Sequence, residues 1–473
     1  MVNGSSSGVM NGSFPAIPTT CEDGLRSCSA CLATRNAAPG GKCVWLSGSY
    51  SGSGSNPGHG GCYPEQRWQQ KKPAFPNIHA VTEPAACEVP LPPVPPPPPC
   101  TRMGSNRANC WVGHWRHGIG GVPYQNLPDA PMLGNGYLGL LLAESGADGL
   151  VHSGGAPLGS GVDLWVNTNA MWACMNNTQS GGSSGTLQPA FPGRLTDAVC
   201  NLAGFGGVSL SLPALGHAHM YAEQRIGPAH LYTRQSGTSG TLETLTYVDP
   251  KRNVIVTNVT WIAAANSAKD AELNVNVWAH LERNTGSSGH IVSGPSDAGH
   301  SGAVPWACRH ASADNATGVR RIRTAVAVAL PPGAKKIKPT MLPNGSAFGN
   351  DRLGILAQVV AASSVGLKNG HTISLVTAVS DNLQQGNGYD PTQDAVQLAQ
   401  SASASDIASA AAVWWQRFWN QSSIALPGSP AVESYWYGTL YAIATMNPSK
   451  EMMWATNNLV PPAGPYGNQV TTE

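Results

Sequence analysis

A chain of 473 residues with a formal net charge of +1 and only 11% charged residues is long enough for two or three domains. It offers no electrostatic footprint for nucleic acid or anionic lipid. Its 55 glycines and 38 prolines favour turns and strands over long helices, and its most apolar run, 355–367, is shorter than the roughly 18 residues that cross a bilayer and is interrupted by Gln358, Ser363 and Ser364.

Residues 1–20 are polar and rich in Gly and Ser, which predicts disorder. They show neither the basic nor the apolar region of a signal peptide. The cysteines point the other way. Eight of the 11 lie between Cys21 and Cys110, leaving Cys174, Cys200 and Cys308 for the rest of the chain. Dense cysteines in a small polar, Pro-rich region read as a disulfide framework in an oxidising compartment. The disulfide candidates are Cys21, Cys28, Cys31, Cys43, Cys62, Cys87, Cys100, Cys110, Cys174 and Cys200. Seven N-x-[ST] sequons agree with such a compartment: Asn3, Asn11, Asn176, Asn258, Asn315, Asn344 and Asn420. Either a leader lies outside this chain or the chain is not exported. Cysteines and sequons favour the first, and the expected location is extracellular or the endomembrane lumen.

Cys28 and Cys31 form a C-x-x-C that alone could be half a zinc site or a redox pair. It has no second C-x-x-C, no nearby paired His and no βαβ context, so no metal or cofactor is expected. The run CEDGLRSCSACLATRNAAPGGKCVWL (21–46), with Ser27-Cys28 and with Trp45 two residues after Cys43, resembles the PSI module of plexins, semaphorins and integrins. Leu46 stands where that module often has another cysteine. The resemblance implies a spacer or orienting wedge over about 21–86. Next, EVPLPPVPPPPP (88–99) between Cys87 and Cys100 predicts an extended polyproline spacer over 87–110, because proline fixes φ and supplies no N–H.

LPDAPMLGNGYLGLLL (127–142) carries Gly134, Gly136 and Gly139 in a G-x-G-x-x-G pattern. A dinucleotide loop needs a strand before the glycines, a helix after them and an acidic residue roughly 20 positions on. Pro128, Asp129 and Pro131 are expected to break a strand leading in, and the apolar run that follows reads as a strand. The glycines therefore read as a turn feeding a buried strand over 137–143. Short apolar runs then recur among Gly, Pro, Asn and Ser: VDLWV (162–166), GVSLSL (207–212), TLETLTYV (241–248), NVIVTNVTWI (253–262), ELNVNVWAHL (272–281), RIRTAVAVAL (321–330), LGILAQVV (353–360) and HTISLVTAV (371–379). In LNVNVW, Leu273, Val275 and Val277 alternate with Asn274 and Asn276, the period of a half-buried antiparallel strand. The pattern predicts a mainly β protein with a large sandwich over 111–385.

The period changes at Asp390, a good N-cap followed by Pro391, with Gln393 placed for a capping box. Ile407, Ala411, Trp414, Trp415 and Phe418 follow at helical spacing. VESYWYGTLYAIAT (432–445) predicts a second helix that stops at Asn447-Pro448. Taken in order, LPDAPMLGNGYLGLLL, VDLWVNTNAMW, LYTRQSGTSGTLETLTYVDPKRNVIVTNVTW, the linker WWQRFWNQSSIALP and ESYWYGTLYAIATM resemble the N-terminal part of glycoside hydrolase families 65 and 95. That resemblance implies an antiparallel β-supersandwich, a helical linker and the first helix of an (α/α)6 barrel (390–473), with carbohydrate as partner. It also implies that the catalytic carboxylates sit on barrel segments after the first helix, so no catalytic position is assigned here and the 473 residues are expected to be silent. The alternative is a non-enzymatic carbohydrate-binding or wall-matrix protein.

Weaker patterns are GGSSG (181–185), which matches G-x-S-x-G without a strand-to-helix elbow, and the pair His217 and His219, with no third ligand in view. Glu451 and Glu473 read as solvated carboxylates, and Trp261, Trp414 and Trp415 as core.

Overall fold

In a computed structural model the described residues are 43–47, 61–64, 79–81, 105–115, 130–144, 161–168, 172–176, 187–188, 198–202, 206–216, 218–280, 293–311, 322–338, 358–382 and 388–446. They fall into two compact units. The first holds β1 (Cys43–Ser47), β2 (Gly61–Pro64) and β3 (His79–Val81), an antiparallel sheet ordered β2-β1-β3 in which Trp45 stands opposite Cys62 and Val81. Cys21, Cys28, Cys31, Cys87 and Cys100 lie outside the described residues, as does the proline run.

The second unit opens with a short 3-10 helix, Ser105–Cys110, and β4 (Val112–Trp115), β5 (Met132–Gly134), β6 (Leu138–Glu144) and β7 (Gly161–Thr168). Then come β8 (Trp172–Asn176), β9 (Leu187–Gln188), β10 (Ala198–Leu202), β11 (Gly206–Ser211), β12 (His219–Arg225), β13 (His230–Gly237) and β14 (Gly240–Val248). The series continues with β15 (Val254–Ala263), β16 (Asp270–His280), β17 (Ser293–Ser301), β18 (Val304–Ala311), β19 (Ile322–Ala329), β20 (Lys335–Ile337), β21 (Gln358–Lys368) and β22 (Thr372–Asp381). A seven-stranded sheet runs β20-β21-β16-β11-β7-β6-β5, a nine-stranded sheet β17-β18-β19-β22-β15-β14-β13-β12-β4, and a small one β10-β8-β9.

The core lies between the two large sheets. Leu273, Val275 and Val277 are fully buried against Val208 and Leu210 of one sheet and Leu242, Val259, Val326 and Val379 of the other. Each such side chain contributes about 1.5–3 kcal/mol through burial. Polar residues also enter this interior, paired across strands: Thr233 with Thr244 at 2.6 Å and Thr246 with Thr257 at 3.2 Å between their hydroxyls. Parts of the outer faces are covered too. Asn276, read from the sequence as facing away from the core, does so while only 3% exposed.

Two expectations change. Proline does not prevent a strand before the glycines: β5 begins just past Pro131, whose carbonyl accepts from Leu142 N at 3.1 Å. It can form because β5 ends the sheet, where a missing donor is tolerated. The strand expected at 353–360 instead runs through Ser363 and Ser364, both buried, and His300 Nε2 lies 3.1 Å from the Ser363 hydroxyl.

The helical stretch is α1 (Pro391–Ser401), α2 (Ala404–Gln421) and α3 (Pro430–Met446). Asp390 caps α1 by accepting from Thr392 N at 3.1 Å. A break at Ala402 and Ser403, both extended, separates α1 from α2, and Ser403 caps the latter. α1 buries Ala395, Val396 and Ala399 on the outer face of the nine-stranded sheet, against Val254, Val256, Ala325 and Val376. Among the described residues, no helix is long and apolar enough to cross a membrane.

Candidate functional site at the junction of sandwich and helices

The glycine turn of β5–β6 meets the C-terminal end of α3. Gly136 has φ +87°, a left-handed conformation that favours glycine, and its N–H donates to Thr445 O at 2.9 Å. Gly134 is needed for close approach, since a Cβ there would lie 2.4 Å from Thr445 O and 2.9 Å from Leu138 O. Between them, Asn135 is 5% exposed and uses its whole amide. Its Oδ1 accepts from Tyr137 N at 3.1 Å and Leu138 N at 2.8 Å, while Nδ2 donates to Asp249 O at 3.1 Å and Arg252 O at 3.0 Å. The turn is thereby fixed to the β14–β15 connection, where Asp249 Oδ2 accepts from Arg252 Nε at 2.7 Å. The Tyr137 hydroxyl donates to Asp381 Oδ2 at 2.6 Å. Burial, then the Asp381 charge and the hydrogen bond to it, hold the Tyr137 phenol well above its usual range.

α3 is gripped along its inner side. Tyr441 OH donates to Met132 O at 2.8 Å, and burial raises its pKa. Tyr437 OH donates to Ile424 O at 2.8 Å and accepts from Ile424 N at 3.1 Å. Glu433, fully buried, takes the Arg107 guanidinium in a two-point pair, with Nη2 to Oε2 at 3.0 Å, and Leu426 N donates to Oε2 at 2.7 Å. The Arg107 hydrogen bond is the main reason that Glu433 is held below the usual carboxylate range. Trp415, Trp419, Tyr437 and Tyr441 form a continuous aromatic cluster, with neighbouring ring centroids 5.4 to 5.9 Å apart.

A second polar group links edge strand β4 to β12 within the nine-stranded sheet. His114 Nδ1 lies 2.8 Å from Tyr221 OH, which donates to Glu223 Oε1 at 2.7 Å, while Arg225 Nε donates to Glu223 Oε2 at 2.8 Å and lies over Tyr232. Glu223, Asp249, Asp381 and Glu433 are each committed to structural hydrogen bonds. Among the described residues, no group of three His, Cys, Asp or Glu could hold a metal ion.

The sequence-derived candidates are placed unevenly. The glycines lead into β6, a strand, so the helix a dinucleotide loop needs is not there. Cys110 is disulfide-bonded, Cys43 and Cys62 lie on β1 and β2, and Cys174 and Cys200 on β8 and β10. Asn176 lies on β8; Asn258 is half-buried on central β15 and accepts from Ser374 Oγ at 2.7 Å; Asn420 is exposed on α2. Asn3, Asn11, Asn315 and Asn344 lie outside the described residues, with His217, residues 181–185, Glu451 and Glu473. Trp261 and Trp415 are buried and Trp414 is half-buried. The outward side of α3 carries Val432, Tyr435, Trp436 and Ile443, with Tyr435 77% exposed. Tyr437, four residues after Glu433 and four before Tyr441, lies on the opposite side of the helix with them and is buried. The Arg107–Glu433 pair was not foreseeable, because its members are 326 residues apart.

No family model and no curated protein matches this sequence. Solved structures similar to it include a phosphorylase, a glucoamylase and an α-mannosidase. A protein described as a kojibiose phosphorylase from the human microbiome shares 10% identity at a TM-score of 0.41, over 67% of this chain and 38% of that one. A bacterial glucoamylase complexed with acarbose shares 9% at 0.33, over 71% and 44%. A family GH92 α-mannosidase from Bacteroides thetaiotaomicron shares 10% at 0.29, over 69% and 40%. The chain thus spans less than half the length of each of these structures.

Proposed function

We propose that these residues are the N-terminal, bracing part of a glycoside-hydrolase-like protein of the family 65 and 95 type, acting on carbohydrate in an oxidising compartment. The PSI-like module and proline spacer precede the bracing domain. The observation that carries the reading is the grip on α3 by the glycine turn: Gly136 N–H on Thr445 O, with a glycine at 134 so that the helix end can approach. Order matters here as much as contact. Sandwich, capped linker helices and an aromatic helix follow one another as the family resemblance of the motifs requires. The role assigned to this region is placement. Its buried carboxylates hold tyrosines, arginines and backbone amides, whereas glycosidic cleavage needs a proton donor and a second group on opposite sides of the bond.

The test is glycoside cleavage by the longest natural translation product that contains this sequence, set beside residues 1–473 alone, on a panel of oligosaccharides and aryl glycosides. Cleavage by the longer product and none by the 473 residues is expected. A folded longest product that binds glycans without cleaving any of them would replace this reading with the wall-matrix one.

A further inference from the structure

We infer that Cys174 and Cys200 are joined by a disulfide that clips the small sheet β10-β8-β9. Three observations converge. First, β8 and β10 are antiparallel, and their register sets Cys174 directly opposite Cys200, flanked by Met175 opposite Val199 and Ala173 opposite Asn201. Residues directly opposite in an antiparallel pair have Cα atoms about 4.5–5.5 Å apart, inside the range of about 4.4–6.8 Å that a disulfide spans. Second, Cys308 is a buried free thiol, which leaves ten of the 11 cysteines, an even number. Third, Cys174 and Cys200 are the two cysteines between Cys110 and Cys308, and Cys110 is itself disulfide-bonded.

The location gives the bond a purpose. β7 and β11 are neighbours in the seven-stranded sheet, so the segment between Thr168 and Gly206 leaves and returns at one end of that pair. At this end Asn167 is in register with Gly139, and Gly139 with Gly134. The excursion is therefore rooted beside the turn that holds α3. A link between residues 26 positions apart closes it into a loop and restricts the unfolded chain. Formation balances as a thiol–disulfide exchange. The two cysteines lose two electrons and two protons and gain one S–S bond, while the disulfide of a lumenal oxidoreductase is reduced to a dithiol.

The inference rests on the oxidising-compartment reading, and peptide mapping separates the two. Trypsin cuts after Arg116, Arg194 and Arg225, giving 117–194 with Cys174 as its single cysteine and 195–225 with Cys200 as its single cysteine. The full chain, secreted from eukaryotic cells, is alkylated at acidic pH before denaturation, deglycosylated and digested without reductant. The expected result is one species of 117–194 plus 195–225 that splits into the two peptides on reduction. In Cys174→Ser, the 195–225 peptide should be found alkylated. If Cys174 and Cys200 are alkylated or bonded elsewhere while Cys110 is bonded, this inference is wrong and the compartment reading stands. If Cys110 is alkylated as well, both fall.

Discussion

Gly136 N–H reaches the carbonyl oxygen of Thr445 at 2.9 Å, joining the first turn of the sandwich to the last turn of α3 across 309 positions of sequence. The approach depends on Gly134, where any Cβ would meet that same carbonyl. Gly134→Ala should destabilise the chain by about 1–3 kcal/mol, the range for a side chain forced into packed backbone. It should also speed amide exchange in the last turns of α3. Gly366→Ala, where a Cβ meets nothing within 4 Å, should stay within about 0.5 kcal/mol. Urea unfolding with hydrogen exchange reads both, and equal effects would show that the close approach is unimportant.

Tyr137→Phe keeps the ring and removes the hydroxyl that donates to Asp381 at 2.6 Å. Asp381 is 8% exposed, so the loss should cost about 1–3 kcal/mol by denaturant titration. A neutral substitution would mean that the hydrogen bond is replaced by solvent.

Glu433 is held below the usual carboxylate value by Arg107. The unfolded chain therefore binds this proton more readily than the folded one. Its contribution to stability is present above the ordinary value of 4.5 and is lost as pH falls through the lower folded value. Glu433→Gln should flatten that acid limb of Tm against pH. An unchanged limb would assign acid sensitivity to other groups.

His230 behaves with the opposite chemistry and the same direction. Burial, with Arg225 nearby, lowers its pKa from 6.5 to about 4, and its ring lies 5.5 Å from that of Tyr247. The folded state resists protonation, so stability is full above pH 6.5 and declines as pH falls towards 4. After discounting for partial exposure, the decline amounts to about 1–3 kcal/mol. A proton NMR titration of His230 checks the value directly; a midpoint near 6.5 would remove the effect.

Cys308 is 1% exposed, and burial pushes its thiol up to about 11. It should resist a thiol-specific alkylating reagent at pH 8 until the chain is unfolded. Labelling of the native chain at Cys308, read by peptide mass, would show that α1 lifts from the sheet.

Much of the fold was legible where one physical rule dominated. Alternation in Leu273, Val275 and Val277 gave a strand because one face is dry, and Asp390-Pro391 gave a helix start because local capping decides it. Legibility failed where partners are distant. β12, HMYAEQR, reads as polar because Tyr221, Glu223 and Arg225 satisfy one another on an outer face. Ser363 obscured β21 for a similar reason, because its hydroxyl meets His300 of a distant strand. Of the junction, the glycines and the aromatic helix could be read from sequence. What they do could not, because Thr445, Met132, Arg107 and Asp381 reach them only through the tertiary fold.

The central claim, that this sandwich places a helical domain for carbohydrate chemistry, is tested most directly by turnover of the longest natural product in wild-type and Gly134→Ala form. Glycoside cleavage by the wild type is expected, with a loss of turnover in Gly134→Ala that Gly366→Ala does not share. A folded wild type that cleaves no glycoside, or a Gly134→Ala protein as active as Gly366→Ala, would contradict it.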